Sequence, residues 1–307
     1  MTPPTHSACL TFDFDAMSSW ITSVQSNNPS MISRGEFAIV GLARVLDMLG
    51  RHDVRATFFV PGHTILAYPA LVERIAAEGH ELGHHGWAHE NPAQLDRARE
   101  ERVLELGLDA FDRVVGQRPT GYRSPAWDLS PHSIGLLLAA GFTYESSCMA
   151  NDFSPYYLRS GDRWSSEDPY VFGETTSLVE MPVSWALDDF PQFEMVPGLF
   201  TGFGDPDKVF GVWREEFDYM IAHAPGGILN VTMHPEVIGR GHRIAHLEQL
   251  IGHIAASGAT FESLSDVALR WARGNPLEAW KQANPMRTGR DAIQSLDAVP
   301  TSRAAAP

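Results

Sequence analysis

The chain has 307 residues and a formal net charge of −15, which disfavours nonspecific binding to nucleic acid or to an anionic membrane surface. Its length allows one large α/β domain or two small ones, with a substantial core in either case. Hydrophobic residues at 44% and charged residues at 20% are the balance of a globular protein, which excludes a disordered or fibrous chain.

In chain order, Ala8–Phe14 reads as a buried first strand. Alternation puts Asp13 and Asp15 on one side and Phe12 and Phe14 on the other. Two carboxylates on one face repel unless a cation or water lies beside them. The run is too apolar for an exposed edge, so a base beside a metal ligand is the sharper reading and a solvated strand end the plainer one. Ala16–Gly35 has no period and reads as a long loop of the lid or binding kind. Glu36–Leu49 carries a helical stripe closed by Gly50. Ala56–Val60 is a second strand, Tyr68–Glu78 a short helix and His80–His84 a third strand.

The stretch Gly79–Pro92 holds four of the thirteen histidines: His80, His84, His85 and His89. On a helical turn, His85 and His89 would share one face and grip one ion. Such a pair is weak by itself, because surface or capping histidines are common. Ala93–Val115 is a long helix, and Thr120–Trp127 a short strand running into a loop. Pro131–Ala140 and Phe142–Ser146 form the next helix and strand. Asn151–Thr176 is an aperiodic excursion, Leu178–Val183 a strand and Ser184–Pro206 another irregular segment. Asp207–Ala224 and His246–Ala256 are helices, Gly227–Met233 and Thr260–Leu264 strands, and Ser265–Arg273 a terminal helix. There is no internal repeat.

This alternation argues for a mainly parallel sheet covered by helices. Seven or eight units in about 270 residues fit a barrel, which typically needs ~250 residues. The expected fold is α/β, a distorted (β/α) barrel of about seven strands. Residues 1–275 would form a single catalytic domain and 276–307 a polar tail, loosely packed or engaged in a subunit contact. Asp13, Asp15, His85, His89, Arg123 and His234 all fall at strand ends, where such barrels place their chemistry.

These residues, in this order, resemble the polysaccharide deacetylase family, whose shared region is the NodB homology domain. Thr11-Phe12-Asp13-Phe14-Asp15 resembles the first motif and His85-Gly86-Trp87-Ala88-His89 the second. Arg123-Ser124-Pro125 resembles the third, and Leu229 through His234 the strand that leads to the last histidine. The likeness covers roughly residues 8–270. An extra residue separates the two aspartates, and Gly86 stands where a hydroxyl residue is usual. The run His234–Arg240 is similar to a branch of intracellular peptidoglycan-deacetylase-like proteins, cyclic imide hydrolases and allantoinases.

The resemblance implies Asp15, His85 and His89 as ligands of one divalent ion, expected to be zinc. It implies Asp13 as general base, His234 as general acid and Arg123 as the group that orients and charge-balances Asp13. Residue chemistry agrees, since one carboxylate and two imidazoles leave a position open for water, as catalytic zinc sites do. An N–H near Ala126 would share the oxyanion, by analogy alone. Trp127, Trp185, Phe190 and Phe193 would wall a pocket, though core packing is the commoner role for any one aromatic. Asp188 and Asp189 sit in a loop where substrate contact is open; Glu90 is either a partner of a ligating histidine or a solvated acid. His80 and His84 read as strand hydrogen-bond partners, His242 and His246 as surface residues.

The expected function is metal-dependent hydrolysis of a carbon–nitrogen bond other than a peptide bond, in a small amide, cyclic imide or short N-acetylated sugar. A metal-independent allantoinase-like hydrolase, a carbohydrate-binding barrel without catalysis and an iron oxygenase are the competing readings. Cys9 and Cys148 make no disulfide framework, and neither a signal peptide nor a membrane span is visible. A cytoplasmic homo-oligomer with no nucleic-acid or membrane partner is therefore expected.

Overall fold

Seven consecutive buried residues, Ser7–Asp13, form the first strand, β1, in a computed structural model that describes residues 6–289. Ala8, Leu10 and Phe12 pack with the surrounding helices, while Cys9, Thr11 and Asp13 face the other way. Eight further strands follow: β2 (Thr57–Val60), β3 (Glu81–His84), β4 (Gly121–Tyr122), β5 (Tyr144–Glu145), β6 (Tyr156–Ser160), β7 (Glu174–Glu180), β8 (Ile228–Met233) and β9 (Thr260–Phe261). Their order is β6-β7-β5-β4-β3-β2-β1-β8, with β9 paired to the start of β1. Every pairing is parallel except β6 with β7.

The sheet curls into an incomplete barrel, as the strand–helix alternation leads one to expect. Its seam lies between β8 and the chain that leaves β7. Asn230 Nδ2 spans it by donating to the carbonyls of Met181 and Pro182 at 3.3 and 3.0 Å, and Asp188 and Thr232 form a parallel bridge. One core lies between sheet and helices around Phe12, Phe58, Leu42, Trp213 and Leu250. The second fills the other face around Phe59, Tyr122, Tyr144 and Leu178.

Four expectations need correction. Residues 16–35 are no loop: they hold the helices Ser18–Thr22 and Pro29–Glu36. The second starts where the Asn28 side chain accepts from Ser30 N and Pro29 takes the first helical position. Residues 151–176 contain β6, which pairs antiparallel with β7 and stands at one end of the strand order, an edge strand. The irregular segment 184–206 includes a short helix, Asp189–Phe193. The polar stretch after 275 begins with the helix Leu277–Ala283, whose Trp280 is buried against Tyr157 and Trp271. The expected tail beyond residue 289 lies outside the described residues. Among the described residues, no helix is long and apolar enough to cross a membrane.

Candidate metal centre

Parallel strands that end on one rim deliver their next residues to one place, and here that place gathers β1, β3, β4 and β8. Asp13 ends β1 and Asp15 follows it; His85 follows β3; Arg123 follows β4; His234 follows β8. His85 Nε2 lies 3.5 Å from Asp15 Oδ1, and His89 Nε2 lies 3.3 Å from Asp15 Oδ2. The ligand atoms of Asp15, His85 and His89 all lie within 4.8 Å of one another. His85 and His89 do not share a helix, however. Residues 86–88 are a turn, and His89 itself has a left-handed backbone with φ 67°. The four-residue spacing fits a tight turn as well as a helical one.

This donor set fits a divalent ion. Asp15 Oδ1 is buried with no hydrogen-bond partner, an uncompensated acceptor that a cation held between Asp15, His85 and His89 would satisfy. His85 Nδ1 lies 2.7 Å from the Arg123 carbonyl; only a protonated Nδ1 can bond there, so Nε2 presents its lone pair to Asp15's side. Burial works against ionising Asp15, but His89, His85 and His234 hold its carboxyl below the ordinary range. Burial pushes the His85 pKa down, favouring the neutral ring, the form in which a histidine can ligate a metal.

Asp13 is fixed from behind. Arg123, fully buried, donates from Nη1 to Asp13 Oδ1 at 2.9 Å and to Thr11 Oγ1 at 2.8 Å. Its Nε and Nη2 reach the carbonyl and hydroxyl of Ser146, and its guanidinium stacks on Phe59. On the open side, Asp13 Oδ2 is 4.0 Å from His234 Nε2, which is 3.9 Å from Asp15 Oδ2. His234 Nδ1 lies 2.8 Å from Asp189 Oδ1, and both Asp189 oxygens accept the His234 main-chain N–H at 3.1 Å. Burial opposes the imidazolium, yet the carboxylates of Asp189, Asp188 and Asp13 outweigh it and hold the His234 pKa well above ordinary.

A cavity of about 470 Å³ opens over this cluster. Asp13, Asp15, His85, His89, Ala126, Trp127, Trp185, Asp188, Phe190 and His234 all line it. Arg123 lies beneath, and Phe193 packs into the core against Phe210, so it is no part of the pocket wall expected of it. The rings of Trp127 and Trp185 meet with centroids 4.3 Å apart. Ala126 and Trp127 are consecutive left-handed residues, with φ of 55° and 56°. Such backbone is costly for side chains with a Cβ and is held only where surroundings enforce it. Asp188 caps the Asp189–Phe193 helix, and burial raises its pKa to about 7.

Asp189, whose contact with substrate is open on the sequence alone, faces His234 and not the cavity, and Ser23, which the sequence does not single out, has its Oγ 2.6 Å from His89 Nδ1. His84 is structural, as expected: it donates from Nε2 to the Leu104 carbonyl and accepts Gly86 N–H at Nδ1, with burial pushing its pKa to about 3. Glu90 accepts the Ala88 N–H and stands at the cavity edge.

The polysaccharide deacetylase family profile matches residues 40–144. A peptidoglycan deacetylase of Helicobacter pylori is 35% identical over 280 residues, a match that spans 86% of this chain and 95% of that one. The chain belongs to the polysaccharide deacetylase family. It is a hydrolase of carbon–nitrogen bonds other than peptide bonds, of a family that uses a divalent metal ion. A further polysaccharide deacetylase relative, the peptidoglycan deacetylase-like protein FGM2 of Gibberella zeae, is 28% identical, covering 81% of each chain. Among solved structures, a Mycobacterium smegmatis protein assigned to the polysaccharide deacetylases superposes with a TM-score of 0.77 at 34% identity, covering 89% of this chain and 92% of that one. The allantoinase Puue shares the deacetylase fold, with a TM-score of 0.74 at 20% identity, covering 90% and 95%.

Proposed function

We propose that the chain hydrolyses a small, uncharged N-acetylated sugar or cyclic amide, with one zinc ion held by Asp15, His85 and His89. The observation that carries this reading is the placement of Asp13 Oδ2 and His234 Nε2, 4.0 Å apart, above a buried carboxylate–imidazole cluster. A bound ion at that cluster supplies Lewis acidity and lowers the pKa of water. Asp13 accepts a proton from the attacking water, held toward the substrate by Arg123. His234 donates from Nε2 to the nitrogen as the carbon–nitrogen bond breaks, so the amine leaves neutral. The Asp189 carboxylate steadies the imidazolium before that transfer. The left-handed turn at Ala126 sets its N–H as the candidate donor to the developing oxyanion.

The cavity supports the choice of substrate. Its lining includes the carboxylates of Asp13, Asp15, Glu90 and Asp188 but no lysine or arginine, so apart from His234 and the bound ion no cationic group stands ready to pair with an anionic substrate. Trp127, Trp185, Phe190 and Phe200 offer ring faces for a compact substrate. Its volume lies within the ~300–1,000 Å³ of small-molecule pockets. The test is a panel of N-acetylglucosamine, short N-acetylated oligosaccharides, succinimide and hydantoin, run with metal-stripped and zinc-restored protein. Zinc-dependent turnover of one small neutral member is the expected result. Acetate release from polymeric chitin or peptidoglycan, with none from the small panel, would overturn the substrate choice.

A further inference from the structure

The helix Ser18–Thr22 and the residues after it form one wall of the cavity, through Ser19, Thr22, Ser23, Val24 and Gln25. A single side chain ties that wall to the ligand set. Ser23 Oγ is 2.6 Å from His89 Nδ1 and donates to the His89 carbonyl at 3.1 Å. A serine hydroxyl has one proton, which goes either to the carbonyl or to the ring. Given to the carbonyl, it leaves the short ring contact to be donated by Nδ1–H, with the lone pair on Nε2, the atom 3.3 Å from Asp15 and the one that would face an ion. The same hydroxyl holds the main chain of His89 at φ 67°, a left-handed region that is costly for a non-glycine residue. His85 needs no such support. Its Nδ1 partner is the Arg123 carbonyl, part of the sheet frame.

We propose that Ser23 is a positioning residue for the metal ion, fixing both the tautomer and the left-handed backbone of His89. Ion affinity and the placement of the wall at residues 18–25 then depend on each other, because a coupling between two events is reciprocal. The proposal rests on Asp15, His85 and His89 being the ligands. Loss of a hydrogen bond to a ligating histidine typically costs 10–100-fold in metal affinity. Ser23 is exposed as a residue, so water replaces part of the lost bond and sets the effect near the lower end, about tenfold.

The test is zinc titration of the full chain against a chelating dye, for wild type, Ser23→Ala, Ser23→Thr, Ser26→Ala and His89→Ala. Ser23→Ala is expected to weaken zinc about tenfold, Ser23→Thr to keep wild-type affinity and Ser26→Ala to change nothing. Hydrogen exchange gives a second readout. Zinc should slow exchange of the amides at 18–25 in wild type and not in Ser23→Ala. Unchanged affinity in Ser23→Ala, or an equal loss in Ser26→Ala, overturns the proposal while a loss in His89→Ala keeps the ligand assignment standing. Full zinc affinity in His89→Ala, or no zinc binding by wild type, overturns both.

Discussion

Replacing Asp189 by Asn keeps the side chain's size and one acceptor oxygen but removes the negative charge 2.8 Å from His234 Nδ1. Asp189 is completely buried, so no water takes over that charge. A hydrogen bond to a charged partner in such surroundings contributes about 1.5–3 kcal/mol. If it is made to the imidazolium that donates the proton, the loss appears in kcat/KM as roughly a 10- to 150-fold decrease. The pH profile adds a direction. Neighbouring carboxylates hold the His234 pKa well above ordinary, and Asp189 is the strongest of them. Without its charge the pKa falls, the protonated donor is depleted sooner as pH rises, and the alkaline limb of kcat/KM moves to lower pH. Steady-state kinetics of the zinc-loaded variant across pH checks both effects. Near-normal kcat/KM with an unmoved alkaline limb would refute the role of His234 as acid.

Asp13→Asn is expected to abolish turnover while zinc content by elemental analysis stays at the wild-type value; retained turnover would remove Asp13 as the base. Arg123→Met strands Asp13 in the interior without its guanidinium, and breaking a buried pair costs about 3–5 kcal/mol, measurable as a urea-midpoint shift. Glu145 and Glu180 lie side by side on β5 and β7; burial raises both, and the neighbouring carboxylate adds to the rise at Glu180. A carboxyl whose folded pKa exceeds its unfolded value of about 4.3 contributes stability below that value and loses it as pH rises through the folded pKa. Wild-type stability should therefore decline with rising pH over this window, and Glu180→Gln should flatten the decline; equal slopes in urea titrations would count against a raised pKa at Glu180.

What was legible in the sequence is what period and order encode. Strand alternation placed Asp13 and Asp15 on one side, and parallel alternation carried His85, Arg123 and His234 to the same rim. The cluster around Asp15 follows from those two facts. Local conformation was less readable: the spacing of His85 and His89 suits a helix, whereas the chain uses a turn with a left-handed histidine. Asn28 and Pro29 carried a usable cap signal for the second short helix, hidden by the polar run around it. The pairings of Ser23 with His89 and of Asp189 with His234 left no local trace, because the partners lie 66 and 45 residues apart. Residue 193 shows the limit of counting aromatics, since a phenylalanine in an irregular segment packs inward as readily as toward a ligand.

The position of β1 within the sheet has a consequence for how the molecule breathes. One edge of β1 is laddered to β8 along nearly its whole length, and the other to β9 at its start and β2 at its end. Asp13 cannot move without breaking main-chain bonds on two sides, an opening whose free energy approaches that of global unfolding. The rim around the cavity is made of short helices and turns with no ladder of this kind, at residues 18–25 and 185–200. Ligand entry and exit can thus proceed through low-energy fluctuations of the rim while Asp13 stays fixed. Exchange rates of main-chain amides should rank accordingly, slowest along β1 and fastest at the mouth, so that adaptability and rigidity reside in separate cooperative units.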